Sequence, residues 1–557
     1  METKNIRVIK ENGELADFSL SLLESEKEAK IKITLKEDAV IREVIIFDEL
    51  IDCPENYEYY GEAYQMITSY IGTSENPEIQ GFNECLLLGV PEAEGFFTAY
   101  NYMIIKSTDE FLLYGATSCN SYNTQIRFNK NHIVVAQDFE KKFYSKGNDI
   151  HLEGFAVLRN EDINKLTDEY AFLIERNHKR KIYKENPVGW CSWYTYEENL
   201  SDTVITDTVN CVKKDVPYLK YIQIGDGYQP HMGDWLLTTD KFSKSMKDVC
   251  LEIKKEGFEP AIWVSPFIAS QNSEVFKNHP DWFIFDDNHK PLSGRDAIGN
   301  SGWRDIVWYC LDPTNPEALE YIVNVCKTMK YEWGVNYFKF DANVWGALFF
   351  GHRYDDRLTS VEAYRLGMSA IWDAVGDDTY ILGCNAPFWP SLGLVTGMRV
   401  STNAIKNYKS ILGCAKQTFR RNWMNNRLWL NDPDCIISDN NESIGENLIK
   451  MQNIYVAASG GSRFYSGDPE NTTPKIRSFL ERLSKQKYTA ARFNFELTEG
   501  IAETEEYTDY FYFNYSQSER SFRTTKTAFD MYSNVMAFPD YRITLEPMSA
   551  QWLRIKK

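Results

Sequence analysis

Val188-Gly189-Trp190-Cys191-Ser192-Trp193 follows the break at Asn186-Pro187 and is a short apolar run that closes on a polar residue and a large aromatic one. Runs of the same kind return at Tyr221 to Ile224, Pro260 to Val264, Tyr337 to Phe340, Tyr380 to Leu382, Met398 to Val400, Leu428 to Leu430 and Arg463 to Tyr465, eight in all. Such brief, mostly apolar runs suit strands covered on both faces in a parallel sheet. Between them, stretches such as Ser243 to Glu256, Pro316 to Trp333 and Ser360 to Val375 mix apolar and charged residues at helical spacing, as crossover helices do. Eight such units predict a (β/α)8 barrel over residues 185–490, a TIM barrel whose chemistry sits at the carboxyl ends of its strands.

On either side the period changes. From Met1 to about Lys184 the clearest pattern is the strict alternation of Lys30-Ile31-Lys32-Ile33-Thr34-Leu35-Lys36, with the apolar-rich run from Val40 to Ile46 soon after. Period two reads as half-buried antiparallel strands and predicts an N-terminal β-sandwich over residues 1–184. Alternation returns in Tyr510-Phe511-Tyr512-Phe513-Asn514 and Tyr541-Arg542-Ile543-Thr544-Leu545, predicting a small C-terminal antiparallel β-domain over 491–557. The expected fold is multi-domain, α/β and β, with the barrel in the centre.

With 557 residues, 43% hydrophobic and 25% charged, the chain has the composition of a globular protein of two or three domains. Its 61 basic and 80 acidic side chains give a net charge of -19, which repels phosphate backbones and anionic bilayers and argues against nucleic acid or a membrane as partner. No apolar run approaches the roughly 18 to 20 residues of a membrane-spanning helix, and the first twenty residues lack the pattern of a signal peptide. Eleven cysteines scattered without C-x-x-C pairs read as free thiols, so the cytoplasm is the expected compartment. Oligomeric state is open: monomer or homo-oligomer.

Several chemistries lack their motifs. There is no P-loop, no G-x-G-x-x-G after a strand and no H-E-x-x-H, and the seven histidines have no metal-binding spacing. No cofactor and no metal are expected. Asp432 and Asp434 in Asn431-Asp432-Pro433-Asp434 read as an Asx turn rather than a cation site.

What the barrel strands do carry, at their carboxyl ends, is Trp193, Asp226, Trp263, Asp341, Cys384, Arg399 and Asp432. Aromatic walls with convergent carboxylates and cations suit a neutral polyhydroxylated ligand, because rings pack against sugar C–H faces while charged groups pair with hydroxyls. In Tyr337-Phe338-Lys339-Phe340-Asp341 the alternation puts Lys339 and Asp341 on one side of the strand. The lysine would keep the carboxylate ionised for attack on an anomeric carbon, although a buried Lys–Asp pair can equally be structural.

At these residues the chain resembles the α-galactosidases of glycoside hydrolase family 36, the melibiase-like members of clan D. The likeness runs through Gly189-Trp190-Cys191-Ser192-Trp193-Tyr194, Gly225-Asp226-Gly227-Tyr228, Gly233-Asp234-Trp235, His279-Pro280-Asp281-Trp282, Leu311-Asp312-Pro313-Thr314-Asn315-Pro316, Lys339-Phe340-Asp341, Leu382-Gly383-Cys384, Gly397-Met398-Arg399-Val400, Leu430-Asn431-Asp432-Pro433-Asp434-Cys435 and Ser459-Gly460-Gly461. The resemblance implies a retaining exo-hydrolase that releases terminal α-linked galactose. Asp341 would be its nucleophile, Lys339 and Arg399 would bind galactose hydroxyls, and Trp193 and Trp263 would line the pocket. It further implies that Asp226 accepts from the hydroxyls at carbons 4 and 6, and that Cys384 lies near the 2-hydroxyl.

The chain departs from that pattern in three places. Where the family has its acid/base aspartate, four residues after the arginine, this chain has Asn403, and an amide has no proton to give a leaving group. Turnover is therefore expected to be severely impaired. Two origins are open, an engineered Asp-to-Asn change or a natural sugar-binding relative that does not cleave, and the intact surroundings favour the first. Gly225 stands where the family usually has a second acid, which points to a sugar lacking the 6-hydroxyl, such as a β-L-arabinopyranoside, as an alternative to galactose; an α-N-acetylgalactosaminidase, with space for an acetamido group beside Cys384, Asn385 and Ala386, is the other. Finally, Ala63-Tyr64-Gln65-Met66-Ile67 replaces an N-terminal motif whose tryptophan reaches the active site, leaving Ile67 in its place. Galactosyl transfer to another sugar would use the same intermediate as hydrolysis.

Overall fold

The computed structural model describes residues 6–557 apart from 25–26, 52–56, 184, 300–303, 305–306, 406, 438–444, 488, 524–525 and 540–541. The expected boundary residue Lys184 and the strand residue Tyr541 lie outside the described residues.

The central sheet is all parallel and runs β1 (Val188–Cys191), β2 (Tyr221–Ile224), β3 (Glu259–Val264), β4 (Tyr337–Phe340), β5 (Tyr380–Gly383), β6 (Gly397–Arg399), β7 (Leu430–Asp432) and β8 (Arg463–Ser466). β8 returns to pair with β1. The seam closes through a second piece of β7, Ile436–Ile437, which pairs with β8 after the chain has been interrupted at Pro433 and at Asp434, whose φ is 76°.

Side-chain parity explains both the packing and the site. Trp190, Ile222, Ile224, Ile262, Val264, Phe338, Phe340, Ile381 and Met398 point outward and join the core under the helices. Their alternates Cys191, Tyr221, Ala261, Tyr337, Tyr380, Leu382, Leu430 and Phe464 form a separate cluster inside the barrel. Its base is a plug of rings, with Tyr337 at 5.5 Å from Tyr221, 4.7 Å from Tyr380 and 5.4 Å from Phe464. Glycines make room for the plug. A Cβ on Gly397 would sit 2.0 Å from the Tyr380 hydroxyl oxygen, and one on Gly189 would sit 2.6 Å from the Phe464 ring. Because Tyr380 is boxed in by Tyr183 and Tyr337, Gly397→Ala is expected to destabilise the chain by about 1–3 kcal/mol in urea unfolding. Adding Tyr380→Phe should recover part of that loss, and a neutral Gly397→Ala would contradict the packing argument.

The helices differ from the sequence reading mostly at their ends. Ser245 caps Met246–Lys255, Thr359 and Glu362 form a reciprocal capping box on Ser360–Val375, and Pro316–Lys327 passes into a π-helical turn at Thr328–Glu332 instead of continuing to Trp333. Strand β1 stops at Cys191, and Trp193 opens a one-turn helix, Trp193–Tyr196, because the Ser192 carbonyl accepts from the Thr195 and Tyr196 amides. β7 begins at Leu430, two residues later than expected. A hairpin of Ile268–Ser270 with Trp308–Cys310 is inserted between β3 and β4.

The N-terminal region is a sandwich of a five-stranded and a nine-stranded sheet, antiparallel, with Ile33, Ile41, Val44, Phe47, Ile105, Ile126 and Val135 in the core between them. Ala29–Leu35 alternates buried and exposed as its sequence does. The C-terminal region is a six-stranded sheet centred on Tyr507–Asn514 and Ser549–Lys556, with a two-stranded ribbon beside it. Among the described residues no helix is long and apolar enough to cross a membrane, and ten cysteines are free thiols, eight of them buried. Cys53 lies outside the described residues.

Sandwich and barrel are joined by a fully buried ion pair. Arg421, the last residue of the helix Tyr408–Arg421 that follows β6, donates to both carboxylate oxygens of Glu62 and to the carbonyls of Met66, Thr68 and Val400.

Beside that pair Glu84 accepts from the amides of Tyr64 and Gln65 at 2.9 and 3.4 Å. Burial pushes its carboxyl up to about 8, the nearby Glu62 adding to the rise while those amides and Arg421 oppose it. The folded chain therefore holds this proton more tightly than the unfolded chain, so the stability it confers is complete below the ordinary value of 4.5 and is lost as pH rises towards 8. Melting temperatures measured from pH 5 to 8 should fall, and Glu84→Gln should flatten the fall; equal slopes would exclude Glu84 as the cause.

Candidate active site

At the carboxyl ends of β1 to β6 a cavity of about 220 Å³ is lined by Cys191, Trp193, Tyr194, Gln223, Gly225, Asp226, Trp263, Lys339, Asp341, Asn385 and Asn403. It is smaller than the roughly 300–1,000 Å³ of drug-sized sites, which is room for about one sugar ring.

Asp341 follows β4, its amide donating to the Val264 carbonyl of β3 at 2.9 Å, so the two strands fix where its side chain starts. The carboxylate is then held on both oxygens. One accepts from Asn385 Nδ2 at 2.7 Å and from the Ala342 amide at 2.7 Å, and the other from Trp263 Nε1 at 3.0 Å. Ala342 and Asn385 are non-glycine residues in the left-handed region, with φ of 53° and 42°, so backbone strain is concentrated on the two residues that aim this carboxylate. Burial works against charge on Asp341, but the Lys339 ammonium and the three hydrogen bonds outweigh it and hold the carboxyl below the usual carboxylate range. The group is therefore an ionised, oriented carboxylate at neutral pH.

Asp226 is half of a second unit. Its carboxylate accepts from Arg304 Nη1 at 2.7 Å and from Gln229 Nε2 at 2.7 Å, while Arg304 also donates to the carbonyls of Gln229 and Pro230. Gly225 sits with its amide on Ser192 Oγ at 2.9 Å, and a Cβ there would meet the same oxygen at 2.9 Å. An acid at 225 would need Ser192 to turn away.

Asn403 is exposed at the rim. Its Oδ1 accepts from Arg399 Nη2 at 3.1 Å, and its carbonyl accepts from Ser410 Oγ at 2.7 Å. The preceding Thr402 amide donates to Gln417 Oε1 at 3.0 Å, and the following Ala404 amide donates to Asp434 Oδ2 at 2.7 Å.

Of the residues singled out from the sequence, Trp193, Asp226, Trp263, Lys339, Asp341 and Asn403 meet in the cavity. Arg399, Cys384 and Asp432 do not line it. Arg399 is buried in an ion pair with Asp434 at 2.6 Å, and its Nη1 contacts Cys384 Sγ at 3.8 Å. Those partners turn the guanidinium toward β7 and the Asn403 loop, with Cys384 beneath it. Asp432 accepts from the Asp434 amide at 3.0 Å, the Asx turn expected there, and burial raises its carboxyl despite Arg399 nearby. Ile67 does not reach the cavity; its carbonyl accepts from Phe82 N and from Gln417 Nε2. Among the described residues no group of three or more His, Cys, Asp or Glu side chains could hold a metal ion.

Sequence reasoning missed Tyr194, Gln223, Cys191, Arg304 and the orienting role of Asn385. Parity along β1 and β2 would have found Cys191 and Gln223, which lie on the same side of their strands as the inward Gly189, Tyr221 and Gly225. No period points to Arg304, which comes from the loop after the inserted hairpin begins.

A closed parallel barrel whose strand ends converge on an oriented carboxylate, a lysine and tryptophan walls defines a (β/α)8-barrel protein with a candidate site for a ring-sized polar ligand. The Melibiase family model matches residues 155–380. α-Galactosidase Mel36A of Lactobacillus acidophilus is 23% identical over 305 residues, 51% of this chain and 37% of that protein. α-Galactosidase AgaA of Geobacillus stearothermophilus is 24% identical over 197 residues, 34% of this chain and 25% of that one. The matched stretch thus spans little more than a third, or less, of these curated relatives. In fold, a crystal structure of an AgaA double variant with raffinose superposes with a TM-score of 0.70 at 13% identity, covering 100% of this chain and 90% of that one. The Thermus thermophilus α-galactosidase with p-nitrophenyl α-D-galactopyranoside gives 0.66 at 17% identity, covering 87% and 98%. The chain is thus similar in sequence to the melibiase family over residues 155–380, and it shares the fold of the solved α-galactosidases.

Proposed function

We propose that the cavity binds a terminal α-linked galactose and that the chain is a retaining exo-glycosidase whose acid/base position is filled by Asn403. The observation that carries this reading is Asp341: ionised, gripped on both oxygens, and facing a space for one ring. In the proposed reaction an Asp341 oxygen attacks the anomeric carbon, the bond to the leaving oxygen breaks, and a β-galactosyl-enzyme forms that water later hydrolyses. Lys339 keeps the attacking carboxylate charged, Trp193 and Trp263 flank the ring, and Asp226 with Arg304 offers an acceptor and a donor to its hydroxyls.

Asn403 cannot protonate the leaving oxygen, so only substrates with good leaving groups should glycosylate Asp341 at a useful rate. Incubation with dinitrophenyl α-galactoside is expected to add one hexosyl mass to the peptide containing Asp341, and azide should release it as α-galactosyl azide, the second inversion restoring the substrate's configuration. A chain that binds the glycoside but never acquires this mass would be a sugar receptor instead. A second reading rests on Gly225. With one carboxylate absent at that end and Asp226 shared with Arg304, a β-L-arabinopyranoside, which lacks the 6-hydroxyl, also suits the cavity.

A further inference from the structure

The cavity has room for about one ring, so the rest of any glycoside must lie outside it, and Asn403 marks the way out. A group at the acid/base position touches the leaving oxygen, hence the leaving group runs over the residues around 403. Two of these are large, apolar and more than half in water: Ile405, 54% exposed, and Phe82, 53% exposed. Neither is a loose surface residue. The Ile405 amide donates to the Asn403 carbonyl at 2.8 Å and to Ser410 Oγ at 3.1 Å, and its carbonyl accepts from the Asn407 amide at 2.6 Å. Phe82 comes from the sandwich yet is fastened to the same loop. Its amide donates to the Ile67 carbonyl at 3.0 Å; that carbonyl also accepts from Gln417 Nε2 at 3.3 Å, and Gln417 Oε1 takes the Thr402 amide at 3.0 Å. The Phe82 carbonyl in turn accepts from Thr68 Oγ1. Gly81 before it, with φ 96°, packs so closely that a Cβ would sit 2.0 Å from the Ile67 carbonyl oxygen and 2.9 Å from Gln417 Nε2. Every backbone hydrogen-bonding group of Ile405 and Phe82 is thus occupied, and what they offer to the exit is hydrocarbon.

We propose that this rim binds the leaving-group end of the substrate and selects an apolar one, so that the chain acts on galactosides carrying an alkyl chain in preference to galactosides of further sugars. The inference rests on the galactose reading, which puts the leaving oxygen at Asn403. A sugar passing the rim would give up water for side chains that cannot pair with its hydroxyls, whereas an alkyl chain gains by covering them. The patch adjoins the cavity, since Ile405 is two residues from Asn403 and bonded to it, and that continuity favours a ligand's tail over a second protein chain as its occupant.

Isothermal titration of the full chain with methyl, butyl and octyl α-D-galactopyranosides, each below its micelle concentration, tests the proposal. Alkoxide leaving groups need the proton that Asn403 cannot give, so binding is read without turnover. Affinity is expected to rise along the series, octyl over methyl by roughly tenfold or more, and melibiose, whose leaving group is a sugar, should bind no better than the methyl glycoside. Ile405→Ser combined with Phe82→Ser should bring the octyl-to-methyl ratio close to one, with thermal melting confirming the fold. An octyl glycoside that binds no tighter than the methyl one, or a ratio that survives the double substitution, would overturn the proposal. So would a dimer in sedimentation that the double variant breaks while the ratio stays near one in the unaltered chain, because the rim would then belong to a second copy. Octyl α-glucoside bound as tightly as octyl α-galactoside would keep the apolar rim and remove the galactose reading, so the two fail separately.

Discussion

Asn403→Asp is expected to raise kcat on nitrophenyl and natural α-galactosides by roughly 10² to 10⁴, the usual worth of general acid and base assistance. The side chains are nearly isosteric, and the loop is already fixed by Ser410, Gln417 and Asp434. Only the proton is missing. The gain should be greatest for substrates with poor leaving groups, such as raffinose, and smallest for dinitrophenyl galactoside, which leaves without protonation. Arg399 would favour the ionised form of an aspartate there, so the alkaline limb should fall at a lower pH than in an enzyme without that contact. On the acid side, activity should persist below the ordinary carboxylate range, because Asp341 stays ionised there. Adding Asp341→Asn must abolish the gain. An unchanged raffinose rate in Asn403→Asp would remove the acid/base assignment. If β-L-arabinopyranoside then becomes the better substrate, Gly225 sets the specificity; cleavage of the N-acetylgalactosaminide would require the space beside Asn385 and Ala386 to hold an acetamido group.

The second large effect is structural. Arg421→Met leaves Glu62 wholly buried without its counter-ion, held only by the Tyr60 and Tyr102 hydroxyls and the Ala63 amide, and also deprives the carbonyls of Met66, Thr68 and Val400 of a donor. Breaking a buried pair from one side costs about 3–5 kcal/mol, a large share of the roughly 5–15 kcal/mol that holds a typical domain together. Urea unfolding should register that loss, or the chain should fail to accumulate as soluble protein. The double variant Glu62→Leu with Arg421→Met should lose less than Arg421→Met alone, since the uncompensated charge has gone. A loss below 1 kcal/mol in Arg421→Met would mean that water reaches the pair.

Much of this architecture can be read from the chain because parallel strands buried on both faces leave compact apolar signatures, and the ends of those runs are where chemistry gathers. Trp193, Asp226, Trp263, Lys339 and Asp341 were accessible by that logic. Arg399 and Cys384 carry the same signature yet lie behind the wall, because Asp434 draws the guanidinium away from the cavity, and nothing in a one-dimensional pattern announces which partner an arginine will choose. The seventh strand was displaced for a related reason. Leu428 and Trp429 are apolar enough to read as strand, but pairing begins at Leu430 and is broken by Pro433 and a left-handed Asp434. Arg304 and Asn385 lie on loops, whose geometry follows tertiary contacts rather than any period.

The interruption of β7 ties together two things usually treated apart. One oxygen of Asp434 takes hydrogen bonds from Arg399, from the backbone just beyond Asn403 and from Tyr194, at the point where the cylinder is stitched shut. Fraying of that stitch would free the cavity rim at Asn403 in the same motion, so amide exchange at Ala404 should report on opening of the barrel, and the rim can be no looser than the closure beneath it.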